Sequence, residues 1–496
     1  MTPNPLVPGF NPDPSIVLAD GVYYLVTSTF EYLPGLPVYR STDLAEWTHI
    51  GNVATRPEQV DLEKVPTPGG VWAPTIRYRD GVFYVIVTVM LGGRGCVVFT
   101  ATDPAGPWSD GTPIPAVDGI DPDLAWDDDG TAYVTFAGFP HAIRQVRVDL
   151  ATGEALEEPR PLWAGTGRFA PEGPHLYHRG EHWYLLVAEG GTDRGHAVSI
   201  ARGPSPTGPW ESNPANPVLT ATGTQNPVQN LGHADLVETP DGGTAMVLLG
   251  VRPVGFGLGF SALGRETFLA PVRWVDGWPQ ADLVTPAPTP DEDVTFDLAH
   301  LDDPDWLAVR RTPAEVAAGR DGRLVITGDG RGLDDARPWF VGRRQRHMSA
   351  TISTRVDASA GVGGLAARHD EVHWFALEAS GTGSTTTVTA RAALAGIERT
   401  WQAELPAGEV ELRMELLRPP SGFVPAAAGG GTVRLVAGGG GREVVLAEFD
   451  GRYWSFEVAK SFTGRVFGLY GADGTVAFSE LRYRGTDAVP DAPTVG

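Results

Sequence analysis

The chain is 496 residues long, more than one hydrophobic core usually fills, so two domains are expected; with 42% of its residues hydrophobic it is not a disordered chain. A formal charge of −23 argues against the basic face that nucleic acid or an anionic membrane requires, and a single cysteine, Cys96, excludes an intrachain disulfide and a cysteine-based zinc site. Sixty-three Gly and 43 Pro, set among short Val-, Tyr-, Trp-, Phe- and Thr-rich runs, point to an all-β protein dense in turns.

The start of the chain has no positively charged stretch leading into an apolar core, and no run of about 18 apolar residues follows anywhere. The expected compartment is therefore the cytoplasm, with no membrane contact. From Asn11 onward one unit recurs five times: NPDPSIVLADGVYYLV from Asn11, WAPTIRYRDGVFYVIV from Trp72, IDPDLAWDDDGTAYVTF from Ile120, APEGPHLYHRGEHWYLLV from Ala170 and LGHADLVETPDGGTAMVLL from Leu231. Each reads as a turn, a short strand, a tight Gly turn and a second strand. Aligned on their turns, the equivalent positions are Asp13, Ala73, Asp121, Glu172 and His233, spaced by 60, 48, 51 and 61 residues. Periods of roughly 40–60 residues with several strands each are those of propeller blades. Residues 1–284 are accordingly predicted to form a five-bladed β-propeller.

Outer strands are expected at Pro37–Asp43, Val97–Asp103 and Val198–Arg202, each followed by a Trp (Trp47, Trp108, Trp210). An antiparallel sandwich also has short strands at such spacing, but the repeat favours the propeller. After Trp278 the sequence changes. Residues 285–293, rich in Pro and acid, read as a linker. Strands then follow at Arg323–Thr327, Ser349–Val356, His373–Leu377, Thr385–Ala390, Val433–Val436, Glu443–Phe449 and Val466–Tyr470, so residues 294–490 are predicted to be a C-terminal β-sandwich. Residues 426–431 and 437–441 read as flexible loops without function.

The innermost strands of a propeller converge on its axis, so an acidic or His side chain at the start of four of them builds one concave polar site. Hydrolysis of a glycosidic bond needs a carboxylic acid to protonate the leaving oxygen and a carboxylate to activate water or attack the sugar. Asp13, Asp121 and Glu172 supply three candidates. Pro and Gly turns flank Asp13 and Glu172 and fix their direction, and a like charge such as Asp121 near Glu172 would hold it protonated near neutral pH. A single Asp before Pro would more simply cap a turn; three acids in register are harder to explain that way. His233 is a candidate for hydrogen bonding to substrate, or less readily for a metal. Arg265 would bond a sugar hydroxyl or a neighbouring carboxylate, or else form a surface ion pair with Glu266. Phe30 and Trp72 would stack on a sugar or pack between blades.

With these residues in hand, the chain resembles glycoside hydrolase family 43, and within it the two-domain β-xylosidases and α-L-arabinofuranosidases. The resemblance rests on NPDPSI, STFEYLPGLPVYRSTDL, GGVWAPTIRY, GIDPDLAWDDDG, EGPHLY, AEGGT, GHADLV and LGRET, in the family's order, and on Phe340–Gln345 and Phe462-Thr463-Gly464 in the second domain. It implies an inverting exo-glycosidase with Asp13 as general base, Glu172 as general acid and Asp121 as the modulator that raises and orients the acid. It also implies that Phe30, Trp72, Ala73, His233 and Arg265 surround the terminal sugar, that the substrate is a small oligosaccharide, and that no cofactor is required, although a calcium ion can face His233. For inversion the two carboxyls should stand roughly 6.5–9.5 Å apart. Three departures touch specificity: the chain runs from Gly138 through Phe139-Pro140-His141 directly into a strand, Gln225-Asn226-Pro227 replaces an Arg-Asn-Pro, and Val466 stands where some relatives direct a Phe to the site, with Phe467 as a possible replacement. A non-catalytic carbohydrate-binding propeller is the alternative, against which the intact acid trio counts; a homo-oligomer is compatible with either.

Overall fold

The computed structural model describes residues 4–140, 142–255, 257, 259–381, 383–419 and 431–489; most of segment 426–431 and His141 lie outside them. Nearly every element is a β-strand; the two α-helices, Pro313–Val316 and Phe456–Ala459, are single turns. Five antiparallel sheets of four or five strands follow one another along residues 15–54, 70–113, 120–163, 172–220 and 229–281. They are the blades of a five-bladed propeller.

Hairpin chemistry builds each blade. In the first two, Asp20-Gly21 and Asp80-Gly81 take up left-handed φ values of 51° and 78° and of 52° and 80°, the pair of values a two-residue hairpin turn needs. The second strands, such as Val82–Met90, are apolar on both faces because each blade is covered by two neighbours. A separate apolar cluster fills each gap: Val26 and Val38 meet Val71 and Val85, Ile86 meets Leu124, Ile143 meets Leu185, Leu186 meets Met246, and Val237 and Val247 of the last blade return to Ile16 and Leu25 of the first. That fifth contact closes the ring. Trp108 is buried in the gap between the first two blades, while Trp47 and Trp210 pack against two of the others.

The second domain is a concanavalin A-like β-sandwich. Its backbone is a pair of long antiparallel strands, Ser349–Arg368 and Val466–Thr486, whose register shifts at bulges near Val356, Asp357 and Val362. Ahead of the bulges the first strand pairs with Val410–Leu417, beyond them with His373–Gly381, so the two strands serve both layers. The shorter strands expected from sequence are their opening halves. Gly363 and Gly364 break the β-prone pattern there, yet they are required by packing: a Cβ on Gly364 would lie 1.9 Å from the Leu377 carbonyl oxygen. Strands Ile397–Pro406 and Val410–Leu417 escaped the sequence reading because their alternating charged residues hide the apolar face.

The segment 285–293 is pinned rather than free. Ala287 N–H donates to Asn4 O (2.6 Å), Thr289 N–H to Asp487 Oδ2 (2.8 Å), and Glu292–Thr295 is already a strand on the edge of Val466–Thr486. The domains are also stitched by backbone, since Tyr32–Leu33 of the propeller pairs with Leu307–Val309 of the sandwich. Arg310, beside that junction, donates to Val65 O (2.7 Å), Thr67 Oγ1 (2.8 Å) and Glu371 Oε1 (2.9 Å).

Candidate active site

Four of the inner strands open on an irregularity that turns a side chain toward the propeller axis. Register shifts mark the starts of Gly70–Arg79, Ile120–Trp126, Glu172–Arg179 and Gln229–Glu238. Such bulges bend a strand and re-aim its side chains, often beside active sites. Asp121 and His233 sit at two of these shifts with left-handed φ values of 55° and 48°, and Asp13, just ahead of the regular strand Ser15–Ala19, has the same conformation (54°). A left-handed non-Gly residue costs roughly 1–2 kcal/mol, least for Asp and Asn. In the fourth blade the residue with this conformation is Gly173 (φ 54°), one position after Glu172. Proline confirms the register: Asp13-Pro14, Ala73-Pro74, Asp121-Pro122 and Gly173-Pro174 align, with His233-Ala234 as the fifth pair. Glu172 is therefore not the equivalent of Asp13, as the repeat alone suggests, but reaches the axis from one residue earlier.

Beyond these positions a second layer plugs the axis: Ser15, Asp123, His175 and Asp235 stand two residues past Asp13, Asp121, Gly173 and His233, and Arg77 and Tyr177 four past Ala73 and Gly173. Arg77 donates to Asp123 Oδ1 (2.6 Å) and Asp235 Oδ2 (3.0 Å) and its Nη2 lies 3.0 Å from His175 Nδ1; Ser15 and Tyr177 hydroxyls donate to Asp235 at 2.7 and 2.6 Å. The Arg77 charge holds Asp235 far below the usual carboxylate range against the cost of its burial. This layer makes the floor of a pocket out of what would be a channel.

Above it lies a cavity of about 60 Å³ lined by Asp13, Phe30, Trp72, Ala73, Ile120, Asp121, Glu172, Thr192, His233, Arg265 and Phe462. All eight residues singled out from sequence line it. Arg265 does not pair with Glu266, whose carboxylate is taken by Arg252 (2.7 Å); it is buried and donates to Asp13 Oδ1 (2.9 Å), Thr192 Oγ1 (3.1 Å) and Phe462 O (3.2 Å). Asp13 accepts in addition from Ser28 Oγ (2.6 Å), so both its oxygens are held in place. Glu172 makes no hydrogen bond among the described residues; burial, then the charge of Asp13, pushes it up to about 7, with Arg265 opposing. Asp121 is also raised, by burial and by the charges of Glu172 and Asp13, while its Oδ2 accepts Gly173 N–H at 3.1 Å and so orients the peptide that follows Glu172. Both like charges thus bear on Glu172: that of Asp13 directly, and that of Asp121 through the mutual repulsion that also raises Asp121. The charges of the three carboxyls oppose one another, and Asp13 is the one paired with a guanidinium.

Three residues of the lining were not singled out: Ile120, Thr192 and Phe462. The last comes from the sandwich. Neither Val466 nor Phe467 lines the pocket; Phe467 stacks on Tyr483 (5.0 Å) inside the sandwich, and Phe462 instead closes the site, 5.9 Å from Phe30 and 5.7 Å from Trp72. The Arg265 guanidinium lies between Phe30 (5.5 Å) and Phe462 (5.4 Å). Burial pushes His233 down to about 4, so it is neutral; its Nδ1 is 3.8 Å from Asp13 Oδ1 and its ring packs on Gly173, where a Cβ would stand 2.9 Å from Nε2. A second buried imidazole, His196, lies 3.6 Å from Glu172 Oε1. A larger cavity of about 170 Å³ occupies the domain seam; there Arg343 pairs with Asp303 and Asp305, Arg346 with Glu292 and His49 with Asp305, while Arg344 donates to Phe10 O (2.7 Å).

One small blind pocket thus holds a fixed carboxylate, a raised carboxyl and aromatic walls, a set able to accept one proton and donate another. Residues 2–279 match the model described as glycosyl hydrolases family 43, and residues 294–484 match that of the β-xylosidase C-terminal concanavalin A-like domain. The non-reducing end alpha-L-arabinofuranosidase BoGH43B of Bacteroides ovatus is 37% identical over 498 residues, covering 94% of this chain and 90% of that protein. A beta-xylosidase of Bacillus subtilis is 37% identical over 298 residues, 56% of each chain. Among solved structures, the Bacteroides ovatus xyloglucan PUL GH43B superposes with a TM-score of 0.88 at 34% identity over 98% of this chain and 99% of that one. A xylan beta-1,4-xylosidase of Bacillus halodurans gives 0.86 at 28% identity over 98% and 100%.

Proposed function

The chain belongs to glycosyl hydrolase family 43, and on that premise we propose that it is an inverting exo-glycosidase releasing terminal β-D-xylose, α-L-arabinofuranose or both from short xylo- or arabino-oligosaccharides. The observation that carries this reading is the asymmetry of two carboxyls in one pocket: Asp13 is tied to Arg265, and the half-buried Glu172 carboxyl has no hydrogen bond among the described residues and is raised to about 7. Asp13 is the general base that takes a proton from water. Glu172 is the general acid that protonates the leaving oxygen, a task for which a carboxyl titrating near neutral pH is suited. Asp121 orients the acid through Gly173 N–H and shares its proton-rich surroundings.

A small cavity over a closed floor supports release of terminal residues over internal cleavage. Phe30, Trp72 and Phe462 supply the apolar faces against which a pentose packs, and His233 and Thr192 its polar partners. Relatives named for xylosidase and for arabinofuranosidase activity support both sugars as candidates. Calcium prefers six to eight oxygen ligands. Among the described residues no group of three or more His, Cys, Asp or Glu side chains is arranged to hold a metal, so an ion beside His233 would be met through its own water and no step is routed through it. Among the described residues no helix is long and apolar enough to cross a membrane.

The test is hydrolysis of xylobiose, nitrophenyl β-xyloside and nitrophenyl α-arabinofuranoside, with the anomer first released followed by proton NMR. Appearance of the inverted anomer is expected. The retained anomer would refute the base assignment of Asp13, and tight sugar binding without cleavage would favour a binding propeller.

A further inference from the structure

We propose that His196 is a positioning residue that keeps the acid's proton on Glu172 by presenting it with a bare imidazole lone pair. The proposal rests on the reading of Glu172 as general acid. His196 immediately precedes strand Ala197–Gly203 and is completely buried. Its ring lies against Gly232, where a Cβ would stand 2.4 Å from Nδ1 and Cε1, so the ring's place depends on that glycine. Nδ1 is 3.0 Å from Asn230 O. A carbonyl only accepts, so Nδ1 carries the hydrogen and Nε2 is left as an acceptor.

That acceptor has no hydrogen-bond partner among the described residues, and it faces Glu172 Oε1 at 3.6 Å. A buried polar atom without a partner is costly. Against an ionised Glu172 it meets a second acceptor. A protonated Glu172 can satisfy it by closing the gap by a few tenths of an ångström, so the pair favours the acid form. Burial pushes His196 itself down to about 3, and hence it does not take the proton. The other charged groups facing Glu172 are Asp13, which raises it, Arg265, which lowers it, and Asp121, which it repels; His233 is neutral. In turnover the Glu172 proton passes to the glycosidic oxygen as the C–O bond breaks and its electron pair stays on that oxygen. Water adds hydroxide to the anomeric carbon and its other proton goes to Asp13. Glu172, then a carboxylate facing the Nε2 lone pair, is driven to take a proton back from solvent.

The test compares the pH profile of kcat/KM in wild type and His196→Phe, which keeps a ring and removes the lone pair. The alkaline limb is expected to fall by on the order of one pH unit, the size of one hydrogen bond's effect on a titrating group, while the acid limb stays. A lower rate with an unmoved alkaline limb marks a merely structural role and overturns the proposal. Nitrogen-15 NMR of wild-type histidines decides independently of folding of the variant and of any activity. A His196 in the Nδ1–H form whose Nε2 signal follows a titration near neutral pH, and does so no longer in Glu172→Gln, supports it; an Nε2–H form overturns it. Wild type that cleaves neither glycoside would refute the functional reading while leaving the NMR result to judge the His196 contact.

Discussion

Replacing Glu172 with Gln removes the acid while preserving shape, and it should make the protein both slower and more stable. The side chain is 19% exposed and its carboxyl is raised from 4.5 to about 7, chiefly by burial and then by Asp13. A carboxyl raised on folding contributes its penalty only when ionised. Stability is unaffected below about pH 4.5, falls as pH rises between the two values, and stays lower above pH 7. At ~1.36 kcal/mol for each pH unit, the ionised group costs the fold roughly 3 kcal/mol at pH 8. Glu172→Gln should therefore melt at the same temperature as wild type near pH 4 and a few degrees above it at pH 8. Its kcat on xylobiose, whose leaving group needs a proton, should fall by ~10²–10⁴, with a smaller loss on the nitrophenyl glycoside. Differential scanning fluorimetry across pH and steady-state kinetics read both. A melting-temperature gap that does not widen with pH, or equal rates on xylobiose, would refute the reasoning.

Arg265→Met strands Asp13 beside two other buried acids; a loss of about 3–5 kcal/mol in stability and at least ~10²-fold in kcat/KM is expected from denaturant melts and kinetics. Phe462→Ala opens the sandwich side of the pocket, and KM should rise about 3- to 10-fold with kcat little changed, as the loss of one aromatic contact of ~0.5–1.5 kcal/mol requires. Gly173→Ala puts a Cβ 2.9 Å from His233 Nε2 at a left-handed position, which costs roughly 1–2 kcal/mol before any clash; hydrolysis should fall by more than melting temperature indicates. Chelation by EDTA should leave melting temperature and kcat/KM within error, and a loss restored by calcium would give the ion beside His233 a role.

The propeller was legible because its repeat is physical: each blade needs a turn, two apolar strands and a Gly-assisted hairpin, and those residue types recur. The acids were legible for the same reason, and the alignment failed only in the fourth blade. There Gly173 occupies the left-handed position that Asp13, Asp121 and His233 hold elsewhere, so matching ionisable side chains misled where matching prolines would not. Contacts that join distant segments carried no local signal. Arg265 has Glu266 next to it in sequence, yet pairs with Asp13, 252 residues away. Phe462 reaches the site from a loop of the other domain, whereas the resemblance to relatives that direct a Phe to the site pointed to Val466 and Phe467. His196 lies outside the repeat, and its place depends on the missing side chain of Gly232.

The pairing of Tyr32–Leu33 with Leu307–Val309 sets a schedule for the protein's birth. The propeller, complete once its last blade ends at Ala281, leaves the ribosome with one stretch of exposed backbone and one wall of its pocket waiting for partners about 25 and 180 residues later, the second a delay of roughly 10–40 s at ~5–20 residues per second. During that interval the acids of the pocket exist without Phe462 beside them. The pocket is thus finished last, near the completion of the chain, and a product truncated before Phe462 keeps it open on the sandwich side.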